Sequence, residues 1–179
     1  MGCTWRTLPS LALPSPGVAS NPPLDLTLTP TKGDGRTLEQ WLTTFHLVSV
    51  VVDPFTNESA WILDTAARIL RDFAGAAVRV NWVVTGTAED ARAFLGPLAS
   101  EFLTFADPDR SYVSALGLQH LPAFVFLRVD GQVVAVAEGW NASEWREVAE
   151  AIADTVVWSR AVIPAPGDPQ AYVGTPALV

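Results

Sequence analysis

The sequence predicts an α/β domain: a central mixed β-sheet flanked by helices, with a terminal β-hairpin followed by a C-terminal helix. Three observations carry this. Leu47-Val48-Ser49-Val50-Val51-Val52 is largely β-branched and apolar on both faces, as a central strand covered on each side by helices must be. A segment of helical period, Ser59 to Phe73, separates it from a second strand-like run, Val78 to Val84, the arrangement of a parallel crossover. Ala123 to Val129 and Gln132 to Ala137 flank Asp130-Gly131, which reads as a two-residue hairpin turn.

In chain order, residues 1–23 are rich in Pro, Ser and Gly without a stable period and read as an irregular arm. The domain is expected over residues 24–158. Leu24 to Leu28 alternates like a half-exposed edge strand, Thr31 to Gly35 supplies a turn, and Leu38 to Phe45 reads as a short helix. Asp53-Pro54 ends the central strand. In the helix that follows, Trp61, Leu63, Ala66, Ala67, Ile69, Leu70 and Phe73 form the apolar stripe, which places Trp61 in the core.

Thr87-Ala88-Glu89-Asp90 has the form of a capped start for a helix over Glu89 to Ser100. Phe102 to Phe105 is a short strand, Asp107-Pro108-Asp109 a turn, and Ser111 to Leu116 a helix closed by Gly117. After the hairpin, Asn141-Ala142-Ser143 caps a helix over Glu144 to Val157. Residues 159–179 hold four prolines and two glycines, which bar further regular elements. This tail is expected to be disordered or to wrap onto a partner. Trp140 and Trp158, near element ends, are candidate interface residues.

Composition removes several function classes. Eleven Lys and Arg against 19 Asp and Glu give a formal charge of −8, a field that repels nucleic acid. The single cysteine, Cys3, permits no intramolecular disulfide, dithiol couple or cysteine zinc site. Two histidines make no convincing metal site, and Gly33-Asp34-Gly35 has Leu38 where a dinucleotide fingerprint needs its third glycine, so no cofactor is expected. Residues 1–22 lack the apolar run of a cleaved signal, Arg6 stands where myristoylation wants Ser or Thr, and no stretch approaches the ~20 apolar residues of a spanning helix. A cytoplasmic protein is expected, and the Ala-, Val- and Arg-rich, Lys-poor composition fits a high-GC bacterial genome.

The most specific stretch runs from Asp107-Pro108-Asp109 through Ala115-Leu116-Gly117-Leu118-Gln119-His120-Leu121-Pro122-Ala123-Phe124 to Asp130-Gly131-Gln132-Val133-Val134. With the order of elements over Leu24 to Val157, it resembles the thioredoxin-like superfamily, in particular its branch of membrane-tethered thiol:disulfide reductases and peroxiredoxin-like proteins. The resemblance implies that Pro122 is cis, that His120, Leu121 and Pro122 form a peptide-binding loop, and that the Leu121 backbone pairs with an extended segment. It also places Thr56 and Ser59, in Thr56-Asn57-Glu58-Ser59, on the two cysteines of Cys-x-x-Cys.

Sulfur chemistry needs a thiolate, and a serine hydroxyl is not ionised at a helix N-terminus and forms neither a mixed disulfide nor a sulfenic acid. The expected function is therefore a redox-inactive protein- or peptide-binding scaffold. The alternative is an oxidoreductase or peroxidase-related antioxidant protein with altered or Cys3-dependent chemistry. The simpler reading of Thr56, Asn57 or Ser59 is as a plain helix cap rather than a ligand site. A hydrolytic Ser59 would need His120 as its base, and no nucleophile elbow surrounds it.

Overall fold

The computed structural model describes residues 19–179; Cys3 and most of the N-terminal arm lie outside them. The chain runs through β1 (Thr27–Pro30), β2 (Arg36–Thr37), α1 (Leu38–Trp41), β3 (His46–Val52), α2 (Asn57–Trp61), α3 (Leu63–Phe73) and β4 (Val78–Val84). It continues through α4 (Ala88–Leu95), α5 (Leu98–Glu101), β5 (Leu103–Ala106), α6 (Ser111–Leu116), β6 (His120–Leu121), β7 (Ala123–Leu127), β8 (Val133–Glu138), α7 (Ala142–Val156) and β9 (Thr175–Pro176).

Seven strands form one mixed sheet in the order β2-β1-β5-β4-β3-β7-β8. The apolar run that is hydrophobic on both faces lies at its heart: β3 pairs in parallel with β4, from His46↔Val78 to Val52↔Val84, and antiparallel with β7. Alternate side chains of these strands divide between two cores. Val48, Val50, Val52, Trp82, Phe124 and Phe126 meet α3 and α7, whereas Leu47, Val51, Val83, Phe105, Val125 and Leu127 meet α1 and α6. Each face is closed by helices, which is why β3 and β7 are apolar on both faces and β4 alternates only in its first half.

Several expected elements are corrected. The first strand begins three residues later than Leu24 and lies inside the edge, paired with both β2 and β5. The helix expected over Ser59 to Phe73 is two helices parted at Ile62, whose φ/ψ of −88°/−11° loosens the turn. That break takes Trp61 off the core stripe, so it is 56 % exposed rather than buried. The helix expected over Glu89 to Ser100 is also two, divided at Gly96 (φ 55°), with Pro97 opening the second. Thr87 does cap the first, in a reciprocal box with Asp90.

The hairpin turn is longer than two residues. The amide of Gly131 donates to Arg128 O and that of Arg128 to Gln132 O, so Val129, Asp130 and left-handed Gly131 (φ 80°) form a three-residue loop.

The C-terminal tail does not leave the domain. The guanidinium of Arg68 grips the Asp168 carboxylate at 2.9 and 3.0 Å and donates to Val162 O, and Ile163 is buried against α3 and α7. Trp158 donates its indole N–H to Asp72 O at 2.7 Å. Trp140, a candidate interface residue on sequence, is 1 % exposed: it packs edge-on to Trp145 and donates to Pro169 O under the tail. Among the described residues no helix is long and apolar enough to cross a membrane.

Candidate functional site

Thr56-Asn57-Glu58-Ser59 lies where β3 gives way to α2. Thr56 is the N-cap, with φ/ψ of −121°/143°, but its side chain makes no capping bond. Its hydroxyl instead donates to Asp53 O at 3.3 Å. Ser59 is fully buried, and its Oγ accepts the Asp53 amide at 2.9 Å, bridging the end of the strand to the first turn of the helix. Neither hydroxyl is presented as an activated nucleophile. His120 directs Nδ1 toward Glu138, 3.7 Å away, so the Ser59 and His120 pairing considered for hydrolysis does not form.

Behind this turn lies a buried ion pair. Asp53, 3 % exposed, accepts the Phe55 amide on Oδ1 at 2.9 Å and the Arg110 guanidinium on Oδ2 at 2.8 Å. Arg110 sits in a left-handed conformation (φ 54°) just ahead of α6, and its other terminal nitrogen donates to Ala177 O at 2.6 Å. The side chain thus ties the site turn to the tail. Asp107, read from sequence as a turn residue, also accepts the Ser111 hydroxyl and the amides of Tyr112 and Val113, so it caps α6.

Across from the α2 turn stands the 120–122 loop, with a cis Leu121-Pro122 peptide bond. The Glu138 carboxylate accepts the amides of Gln119 at 2.8 Å and His120 at 2.6 Å and so fixes the loop's approach. Beyond the loop, the Gly139 amide donates to Pro122 O at 2.7 Å.

The outer edge of the loop carries an extended segment, and that segment is the chain's own tail. β6 pairs antiparallel with β9, Leu121 opposite Thr175 and His120 opposite Pro176. Trp140 and Tyr172 exchange two backbone bonds at 2.8 and 2.9 Å, and the Ala177 amide donates to Gln119 O. Tyr172 reaches across both halves of the site: its hydroxyl donates to Glu58 O at 2.7 Å, and its ring meets Trp61 edge-on. Burial, aided by the Glu58 charge, raises the Tyr172 pKa, so the phenol remains a donor at neutral pH. A cavity of about 350 Å³ opens beside this strand, with His120, Glu138, Glu144 and Tyr172 among its lining residues.

The β3–β7 register, with Val51 opposite Ala123, sets the α2 turn that follows β3 beside the 120–122 loop that precedes β7, and Tyr172 links the two. Asp53, Arg110, Glu138 and Tyr172 were not singled out. Tyr172 is the only aromatic residue of 159–179 and so offered a signal; Asp53 and Arg110 lie 57 positions apart, with no spacing rule to join them. Among the described residues no group of three or more His, Cys, Asp or Glu could hold a metal ion.

Sheet order, the α2 turn and the facing proline loop define a thioredoxin-like fold, here in a chain whose single cysteine leaves no Cys-x-x-Cys. No family model matches the chain, and no curated protein matches it. Solved structures do. A Chlorobium tepidum protein assigned as the thiol:disulfide interchange protein DsbE is 16 % identical with a TM-score of 0.63, the match covering 79 % of this chain and 99 % of that one. A secreted Mycobacterium tuberculosis disulfide oxidoreductase homologous to E. coli DsbE is 18 % identical with a TM-score of 0.55, over 73 % and 96 % of the two chains. Xanthomonas campestris peroxiredoxin Q is 17 % identical with a TM-score of 0.60, over 77 % and 95 %. At these identities the likeness is one of fold.

Proposed function

We propose that this chain uses a thioredoxin-like fold without dithiol chemistry, as a module that binds an extended protein or peptide segment. The observation that carries the reading is Ser59. At the position that the resemblance assigns to a redox sulfur stands a fully buried hydroxyl whose oxygen accepts a backbone amide, a structural bond in place of a reactive group. Thr56, Asn57, Glu58 and Ser59 then serve as a framework, and His120, Leu121 and Pro122 serve as the binding edge, where backbone groups recognise an extended chain as an added strand. The negative charge favours a protein partner over nucleic acid. A cytoplasmic setting belongs to the same reading, and fractionation of the native host tests it.

The chemical half of the proposal is tested by insulin-disulfide reduction and peroxide consumption, run on wild type beside Cys3→Ser. Neither protein should show turnover. Turnover lost with Cys3 would overturn the proposal in favour of a thiol delivered by the N-terminal arm.

A further inference from the structure

The tail changes in character along its length. Residues 158–169 are anchored by side chains: Arg68 holds Asp168, Ile163 is buried, and Trp158 and Trp140 donate indole N–H groups. Beyond Pro169 main-chain pairing joins the hold, beside the Tyr172 phenol and the Arg110 bond to Ala177 O. Val173 is 71 % and Leu178 52 % exposed, and Ala177 is the only fully buried side chain of the terminal stretch. Strand bonds with little apolar burial mark the segments that open first.

The surface under this stretch nevertheless reads sequence. Gly174 has φ 91°, and a β-carbon there would collide with Leu121 O. Gly139, beneath the same strand, is equally constrained, since its β-carbon would collide with Val173 O. Backbone therefore meets backbone at a distance that only glycine permits. Two residues before Gly174, the phenol of Tyr172 donates to Glu58 O against the Trp61 edge. One residue after it, the Thr175 hydroxyl lies 3.4 Å from Leu121 O, and three residues after it the Ala177 methyl is wholly enclosed while its carbonyl accepts from Arg110. Val173 and Pro176 project outward and are not read.

We propose that the edge built from Leu121, Gly139 and Trp140 is a recognition surface for an extended segment of pattern Tyr-x-Gly-Thr-x-Ala, and that Tyr172–Ala177 is its resident, displaceable occupant. This rests on the peptide-binding reading above and names the partner's chemistry. The partner is an uncharged extended strand with a phenol, a glycine and a small apolar residue in that register. It competes with the tail for one set of backbone bonds.

The test uses the full chain carrying Gly174→Val, which forces the tail off Leu121, and a fluorescent synthetic peptide of residues 171–179. The variant should bind one equivalent of peptide, and wild type should bind it roughly a hundredfold more weakly, because its tethered tail competes at high effective concentration. A peptide with valine at its glycine position should not bind. Equal binding of a scrambled peptide would overturn the Tyr-x-Gly-Thr-x-Ala assignment and leave the peptide-binding reading standing; a folded Gly174→Val protein that binds no peptide would overturn both. A wild-type dimer that the peptide splits into monomers would overturn the proposal by assigning the edge to a second copy of the chain.

Hydrogen exchange on wild type needs no variant. The amides of Trp140, Tyr172 and Ala177 should exchange well ahead of those of Val50 and Val83. Exchange of all five at the global unfolding rate would show a tail that does not open and would overturn displacement.

Discussion

The two sides of the site are held by opposite means. On the α2 side, side chains turn inward: the Ser59 oxygen and the Asp53 carboxylate are buried and fully engaged with backbone amides and Arg110. On the loop side the backbone faces outward, and Leu121 and Trp140 hold a strand through main-chain bonds over glycine contacts. The first side has the character of a joint, the second that of a sheet edge. Pairing along an edge needs no sulfur, so the proposed binding does not depend on a thiol at Thr56 or Ser59.

The largest test of this contrast is Arg110→Ala, because the Arg110 guanidinium joins the buried Asp53 carboxylate to the tail at Ala177 O. The variant strands the buried Asp53 carboxylate and should lower unfolding free energy by about 3 kcal/mol, read from urea midpoints. A loss below about 1 kcal/mol would mean that the ion pair is not what braces the joint. Next comes Ser59→Ala. Removing the Oγ leaves the buried Asp53 amide without its acceptor, at a cost of about 2 kcal/mol. An unchanged midpoint would mean that the Ser59 oxygen does not brace the end of β3.

Tyr172→Phe loosens the tail side instead. It removes the bond to Glu58 O, worth about 1 kcal/mol, and the loss should show as faster amide exchange at Trp140 and Ala177 while β3 and β4 keep their protection. Equal acceleration throughout would mean that tail and sheet open as one unit.

The smallest effect lies far from both sides. His46, at the opposite end of β3, accepts the Val129 amide on Nδ1, and burial, with the nearby Arg128 charge, lowers its pKa from 6.5 against the pull of Asp130. The unfolded chain therefore takes up this proton first. The contribution of His46 is complete above pH 6.5 and declines as pH falls toward the lower folded value. The midpoint of wild type should drop from pH 7 to about 5.5 more than that of His46→Gln, and parallel profiles would remove His46 as the cause.

What could be read from the sequence followed the range of the forces involved. β4 and α6 fall at the expected residues, and β3 begins one residue early, because burial on both faces and a glycine stop are written locally. The division at Ile62 has neither Gly nor Pro to mark it, so the helical stripe ran straight through and drew Trp61 into a core it does not enter. The division at Gly96-Pro97 was marked, but apolar period outweighed it in the reading. The facing of the α2 turn and the 120–122 loop was accessible only through the family resemblance. The course of the tail was not: its prolines and glycines suggest no regular element, yet β9 forms there on the 120–122 loop, and the anchor that leads to it is a pairing between Arg68 and Asp168, 100 positions apart.

A ligand attached to its own receptor changes what a screen can see. With the leash fixed at Asp168, the terminal strand stands over Leu121 at an effective concentration of the order of millimolar, so any rival segment registers roughly a hundredfold too weak. Capture experiments on the intact chain would then score as empty a surface that is merely taken. Its occupancy would be governed by the rate at which a few strand bonds part, and a partner synthesised close by, or presented in many copies, would succeed where a dilute peptide fails.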